Sequence, residues 1–326
     1  MIFPVSNPIL GFSLIVILGY LSGLLAKKIH LPSIIGNLCV GLLLGPFGLG
    51  ILSFDLIENR FSPIGSIAFG FIAISIALHL KKEEFKKVIM LSFFDIFFTF
   101  LIIFLSFLYL TSSLYLSVLL GITGATTAPA ASLAIVRESR AKGPLVSALL
   151  PTIALNNVLC TIFFTLILGI LTIMIRTDDF SLFPLLRQIF FASSLGVVFG
   201  YLFCLSDPFI KRIGIKTIWA SFFALLILIG IAEQLHLSIL LSSICMGLII
   251  TNTEKVADEV FDAFNRLESF IYLLFFTMAG THLNPSFVFQ KSWLIILFVI
   301  ARFVGKLSGG YVGAYIAKIP KKGLFG

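Results

Sequence analysis

The sequence predicts an all-α protein, a polytopic transmembrane helical bundle of about eleven spans. Three observations carry this reading. Of the 326 residues, 59% are hydrophobic and 12% charged, with a mean hydropathy of +1.12, whereas an ordinary soluble domain has about 25% charged residues. A chain of this size has too little interior to hide that much apolar side chain from water, so lipid must be its solvent. Apolar runs of membrane-crossing length also follow one another with only short polar breaks. Finally, the basic residues cluster in alternate breaks, as they do when loops alternate between two membrane faces.

In chain order the spans are read as 9–26, 33–52, 63–80, 88–110, 114–136 and 144–175, then 185–205, 217–231, 237–251, 270–282 and 292–317. The first run lacks a basic leader and a small-residue cleavage site, so it reads as a span rather than a signal peptide. Polar or turn-type breaks at Asn59 to Pro63, Thr111 to Ser113, Asp207-Pro208 and Asn284-Pro285 separate neighbours. No linker or low-complexity tract interrupts the series, which implies a single membrane domain over residues 1–326.

Loop charge gives the orientation. Of the 23 Lys and Arg residues, about 17 fall on one side, from Lys27 and Lys28 to Lys318, Lys321 and Lys322. The other side holds Arg60, Arg176, Arg187 and Lys291. The rich side is cytoplasmic by this rule, which puts the N-terminus outside and the C-terminus inside, in the cell inner membrane. The net charge of +8 is thereby explained by topology, and no nucleic-acid partner is implied.

Two cations remain inside a span. Arg302 and Lys306 lie about 15 and 21 Å along the last run at ~1.5 Å per residue, four apart and on one face. A cation at that depth costs several kcal/mol (roughly 3 or more) without a partner or water, so function is its default reading. The run 114–136 is broken at depth: Gly121, Thr123, Gly124, Thr126, Thr127 and Pro129 weaken its backbone ladder. Unwound backbone survives in a bilayer only beside protein or a watery cavity, where its carbonyls and helix ends can meet an ion. The bland alternative is a Pro-kinked helix patched by threonine hydroxyls. Asn156 and Asn157 lie at similar depth; by themselves they read equally as amide glue between helices.

Asp95 is the remaining acid inside a span, about 10 Å from Val88, shallow enough to reach headgroups or water. Glu138, Glu233 and Glu268 fall at segment ends and read as interfacial, as do His30, His79, His236 and His282. The four cysteines, Cys39, Cys160, Cys204 and Cys245, read as small buried hydrophobes. No nucleophile–base set, metal-ligand spacing or cofactor motif appears, so no enzyme, metal or cofactor is expected.

The run Leu31-Pro32 through Gly36, Gly41, Gly45-Pro46, Gly48 and Gly50 resembles the opening signature of the monovalent cation:proton antiporter superfamily, the sodium/hydrogen exchanger family of bacterial type. Ala125 to Pro129 with Val136-Arg137-Glu138 and Ala141 to Pro144 is similar to that family's discontinuous helix and following loop. Phe275 to Gly280 and Arg302-Phe-Val-Gly305-Lys306 resemble later segments. The resemblance covers essentially the whole chain. It implies an antiporter-type inverted-repeat fold, a separate dimerisation region that includes the first helix, a homodimer, and alternating access of a monovalent cation (Na⁺ or K⁺) and a proton. It also implies ion-binding roles for Thr126, Thr127, Asn156 and Asn157, with charge compensation by Lys306 and Arg302.

The family's paired acids fall on Asn156 and Asn157, and another branch's acid falls on Ala128. An amide can ligate a cation but cannot bind and release a proton. The sequence therefore predicts that Lys306 has lost its counter-ion and leaves Asp95 as a proton-titrating candidate. The competing reading is a degenerate or non-antiporting member, carrying another solute or nothing. Because only one short basic loop follows the last span, the resemblance also implies a core repeat short of two helices.

Overall fold

The computed structural model describes residues 5–78, 85–127, 183–286 and 292–317, together with helical residues 132, 135–136, 149, 151–153, 155–156, 159–160, 162–164 and 167. The described elements are α1 (Pro8–Lys28), α2 (Ser33–Leu44), a π-helical turn (Leu56–Arg60), α3 (Ser62–Ala77), α4 (Phe85–Thr111) and α5 (Leu114–Ala125). They continue with α6 (Phe183–Arg212), α7 (Thr217–Gln234), α8 (Ile239–Thr251), α9 (Glu254–Thr281) and α10 (Ser292–Ile316). The only β-type pairing among the described residues is an isolated bridge between Val5 and Leu52. Five helices, α1, α4, α6, α7 and α10, are individually long and apolar enough to cross a membrane.

Local chemistry sets the ends. Asn7 Oδ1 accepts from the Ile9 and Leu10 amides at 2.9 and 3.2 Å, capping α1 just before Pro8. Lys27 and Lys28 occupy its last turn, where cations suit the helix dipole. Helix α2 stops at Leu44, short of the anticipated 52, because Gly45 precedes a proline and is extended (φ −68°, ψ 166°). By contrast, α6 runs through Asp207-Pro208 to Arg212, where a break was anticipated. Lys211 there bridges Asp207 and Glu259 at 3.0 and 2.8 Å and ties α6 to α9. The Lys211 ammonium, then the Thr217 hydroxyl, hold the Glu259 carboxyl below its ordinary range.

Helix α9 is the largest departure, since it begins at Glu254 rather than at 270. Its first half is too charged to read as a span, yet Val256, Val260, Ala263 and Phe264 are buried at helical spacing. The extension carries Glu268 into the interior: it is 1% exposed, not interfacial, and accepts from Ser75 Oγ and Tyr272 OH at 3.1 and 2.5 Å. Cys39 is exposed, against the expectation of burial. Glu138 and His79 lie outside the described residues.

The helices form two packing groups. One contains α1, α2, α3 and α6 to α9; the other contains α4, α5 and α10. They meet where Val88 of α4 and Leu155 join Phe71, Phe264 and Tyr272 in one apolar cluster. Within the larger group, α2 and α9 touch through backbone. A Cβ on Gly41 would strike the Thr277 carbonyl, and one on Gly280 the Leu38 carbonyl. Part of the glycine pattern in the opening signature is thus a packing requirement. Gly41→Ala should therefore lose roughly 1–3 kcal/mol of stability through overpacking. Thermal unfolding in detergent measures this, with Gly230→Ala, where a Cβ meets nothing within 4 Å, as the near-neutral control.

Candidate functional site

The smaller packing group is held together by the α4–α10 contact, and that contact is made by glycine. Gly305, Gly309 and Gly313 recur every four residues along one face of α10. Added Cβ atoms on Gly305 and Gly309 would lie 2.6 Å from Thr99 Cα and 2.7 Å from Asp95 Cα, and one on Gly313 would lie 3.1 Å from Leu91 Cα. Without side chains there, the two backbones come into direct contact. Lys306 follows Gly305, so the same contact brings its side chain to the level of Asp95.

Helix α5 ends between them. Its last helical residue is Ala125, and Thr126 is extended (φ −59°, ψ 143°). Thr126 and Thr127 lie outside the helix, and the rest of the anticipated broken run, apart from helical residues 132 and 135–136, lies outside the described residues. The last carbonyls of a helix must find partners outside it. Lys306 and Arg302 supply them: Lys306 Nζ donates to the Ala125 carbonyl at 2.7 Å, and Arg302 Nη2 donates to the Thr126 carbonyl at 2.7 Å. Two cations thus sit at the negative end of the α5 dipole, where positive charge is favoured.

Lys306 Nζ makes two further contacts, an ion pair with Asp95 Oδ2 at 2.5 Å and a hydrogen bond to Thr127 Oγ1 at 2.8 Å. A carboxylate, a carbonyl and a hydroxyl therefore surround the ammonium on the protein side. Asn156, 1% exposed, completes the cluster: its Nδ2 donates to Asp95 Oδ2 and reaches Thr127 Oγ1 at 3.5 Å. Its Oδ1 is buried with no hydrogen-bond partner among the described residues. A bond from Ser92 Oγ to the Thr152 carbonyl at 3.3 Å fixes the Asn156 segment against α4.

The anticipated loss of the lysine's counter-ion is overturned, because Asp95 supplies it. Asp95 is 8% exposed, a buried acid. Of the residues singled out in the sequence, Thr126, Thr127, Asn156, Asp95, Arg302 and Lys306 converge; Asn157 and Ala128 lie outside the described residues. The contributions that sequence reasoning missed are the Ala125 carbonyl and the glycine face of α10. The four-residue spacing of Gly305, Gly309 and Gly313 beside a buried lysine was the available signal. Among the described residues no cluster of three or more His, Cys, Asp or Glu could hold a metal ion.

The chain is similar to known proteins over nearly its whole length. The family model for the transmembrane region of sodium/hydrogen exchangers matches residues 13–325. A Na⁺/H⁺ antiporter of Enterococcus hirae is 25% identical over 305 residues, spanning 89% of this chain and 77% of that protein. The fold is similar to that of the sodium proton antiporter MjNhaP1 from Methanocaldococcus jannaschii at pH 8, with a TM-score of 0.72 and 21% identity over 97% of this chain and 80% of that one. An electron-microscopy structure of the same antiporter gives a TM-score of 0.69 at 22% identity, over 96% and 79% of the two chains.

A buried ion pair is strongly destabilised when one member is removed, because the other charge is left behind. Lys306→Ala should cost about 3–5 kcal/mol, while Asp95→Asn combined with Lys306→Gln should recover much of it by leaving a neutral hydrogen-bonded pair. Thermal unfolding of the single and double variants in detergent measures the coupling. Additive losses would mean that the pair contributes nothing as a pair.

Proposed function

The chain belongs to the sodium/hydrogen exchanger family, and from that premise we propose that it is a monovalent cation:proton antiporter whose ion site is built on Asp95. The observation that carries this is the oxygen cradle around the Lys306 ammonium: Asp95 Oδ2, the Ala125 carbonyl and Thr127 Oγ1, at 2.5, 2.7 and 2.8 Å. These oxygens are the ligand types that suit a partly dehydrated Na⁺ or K⁺. The buried Asn156 Oδ1 offers a fourth, since an amide oxygen accepts but does not titrate. In the proton-loaded form Lys306 carries the proton and occupies the cradle. A cation entering it displaces the ammonium; the proton leaves Lys306 for water, and Asp95 stays ionised against the new charge. One positive charge replaces another, so the site never holds a carboxylate alone. Arg302 remains on the Thr126 carbonyl throughout and supports the end of α5.

The reading of a non-antiporting member rested on the asparagines at positions 156 and 157. It loses its force once a carboxylate reaches the lysine from α4, and nothing else favours it. The family is one of transporters rather than enzymes. Alternating access assigns the moving part to α4, α5 and α10 and the fixed part to the larger packing group, the two working as a single membrane domain. The basic-residue asymmetry supports an inner-membrane location with the N-terminus outside and the C-terminus cytoplasmic. The outward face of α1, with Ile9, Ile17, Tyr20 and Leu25 exposed, suits lipid contact and a homodimer.

The test is cation-triggered proton release from acid-loaded proteoliposomes. Asp95→Asn should lower exchange by about a hundredfold or more, in keeping with ~3 kcal/mol for removing one partner of a buried charge pair. Asp95→Glu should retain part of it. Parental exchange in Asp95→Asn, with the variant folded, would remove Asp95 from the mechanism.

A further inference from the structure

A second polar feature lies in the larger packing group, at the Lys- and Arg-poor end of the bundle and apart from the ion site. An open cleft of about 350 Å³ lies between the π-helical turn, the first half of α3, the start of α8 and the end of α9. Most of its wall is apolar, from Ile57, Phe69, Ile239, Phe275, Met278 and Ala279. Its polar groups are Ser62, Ser66, Glu58 and His282. A mostly apolar hollow of this size with a few polar groups is the usual form of a small-molecule site, typically about 300–1,000 Å³.

The charge of the lining narrows the ligand. Neither Lys nor Arg contributes to it. The nearby Arg60 is engaged with Asp55 at 3.5 Å. Glu58 Oε1 lies 3.2 Å from His282 Nδ1, which leaves Oε2 for another donor. Ser66 Oγ donates to Glu233 Oε1 at 3.3 Å, so a second carboxylate stands beside the cavity through a wall residue. Phe69 and Phe275 are stacked with ring centroids 6.2 Å apart, and aromatic faces attract cations. Gly65 keeps the α3 wall open: the nearest atom to a Cβ there would be Met278 Cε at 3.7 Å.

We infer that this cavity binds an amphiphilic organic ammonium, its charged head at Glu58 and its apolar body along Phe69, Phe275 and Met278. The shared chemistry is an ammonium on an apolar tail, which either a soluble amine or the ethanolamine headgroup of a lipid provides. An anion would meet Glu58 and Glu233, and a bare inorganic cation would gain nothing from the apolar wall. The inference concerns binding and does not depend on exchange activity.

The experiment titrates the purified full chain with 2-(1-naphthyl)ethylammonium by calorimetry. Neutral 2-(1-naphthyl)ethanol and anionic 1-naphthylacetate serve as matched controls. The ammonium should bind at least about tenfold more tightly than either, equivalent to ~1.4 kcal/mol. Glu58→Gln, at an exposed position, should remove that preference, while Gly65→Leu should fill the cavity and weaken all three ligands. Repeating the titration in phosphatidylethanolamine and phosphatidylglycerol nanodiscs distinguishes the sources. Weaker binding in the former identifies the lipid headgroup as occupant, and equal binding a soluble amine. Equal affinity for the three compounds, or an unchanged preference in Glu58→Gln, would overturn the inference. Exchange by the Glu58→Gln variant in proteoliposomes reads the ion site separately.

Discussion

The Lys306–Asp95 ion pair is the constraint around which the smaller packing group is organised. A charge inside a bilayer protein must have a partner, because the surrounding medium cannot solvate it. Here the partners are on different helices, and α4 and α10 approach until their backbones touch. That approach in turn requires an α10 face without side chains, which Gly305, Gly309 and Gly313 provide. The end of α5 belongs to the same constraint. Its last carbonyls need donors at depth, and the lysine needs acceptors beyond the single carboxylate. Each satisfies the other, so a helix end and an ammonium that would separately be unfavourable are stable together.

Much of this was legible in the sequence, for identifiable reasons. Long apolar runs fixed the helical class, because only helices with internally paired backbone can supply so many spans. Arg302 and Lys306 were conspicuous as cations surrounded by apolar neighbours, and the Gly-Thr-Pro composition around Thr126 marked the break in α5. What stayed hidden depended on depth or on tertiary contact. Asp95 could not be matched with Lys306 because their pairing arises only from the contact between α4 and α10. Helix α9 looked short because hydropathy averages over all faces of a helix, while the burial of Val256, Val260 and Phe264 concerns only one. Asp207-Pro208 looked like a break because proline usually ends a helix, but α6 continues for a further turn to Arg212.

The two packing groups use glycine in the same way for different ends. Between α2 and α9, Gly41 and Gly280 allow backbone contact that locks neighbouring helices of the larger group. Between α4 and α10, the same device serves to position two charges. A family signature rich in glycine therefore mixes rigid packing with site geometry, and only the neighbours of each glycine separate the two. The opening signature lies entirely in the larger group, away from the ion pair.

Reading site residues across by position assumes that chemistry stays on the same helix. The electrostatic requirement is weaker: a buried lysine needs a carboxylate within hydrogen-bond distance, from whichever helix is near enough. Positions 156 and 157, where the resemblance implies an acid pair, carry amides, which in isolation looks like the loss of the site. Yet Asn156 still faces the cluster, donating to the same carboxylate oxygen as Lys306, while the negative charge stands one helix away on α4. The charge opposite Lys306 is thus supplied from α4. The close approach of α4 and α10 keeps the acid and the base within hydrogen-bond distance in a medium of low polarity. The glycine face of α10 thus brings Lys306 against the acid on α4, and the proposed antiporter reading rests on family membership together with that geometry rather than on the asparagine pair.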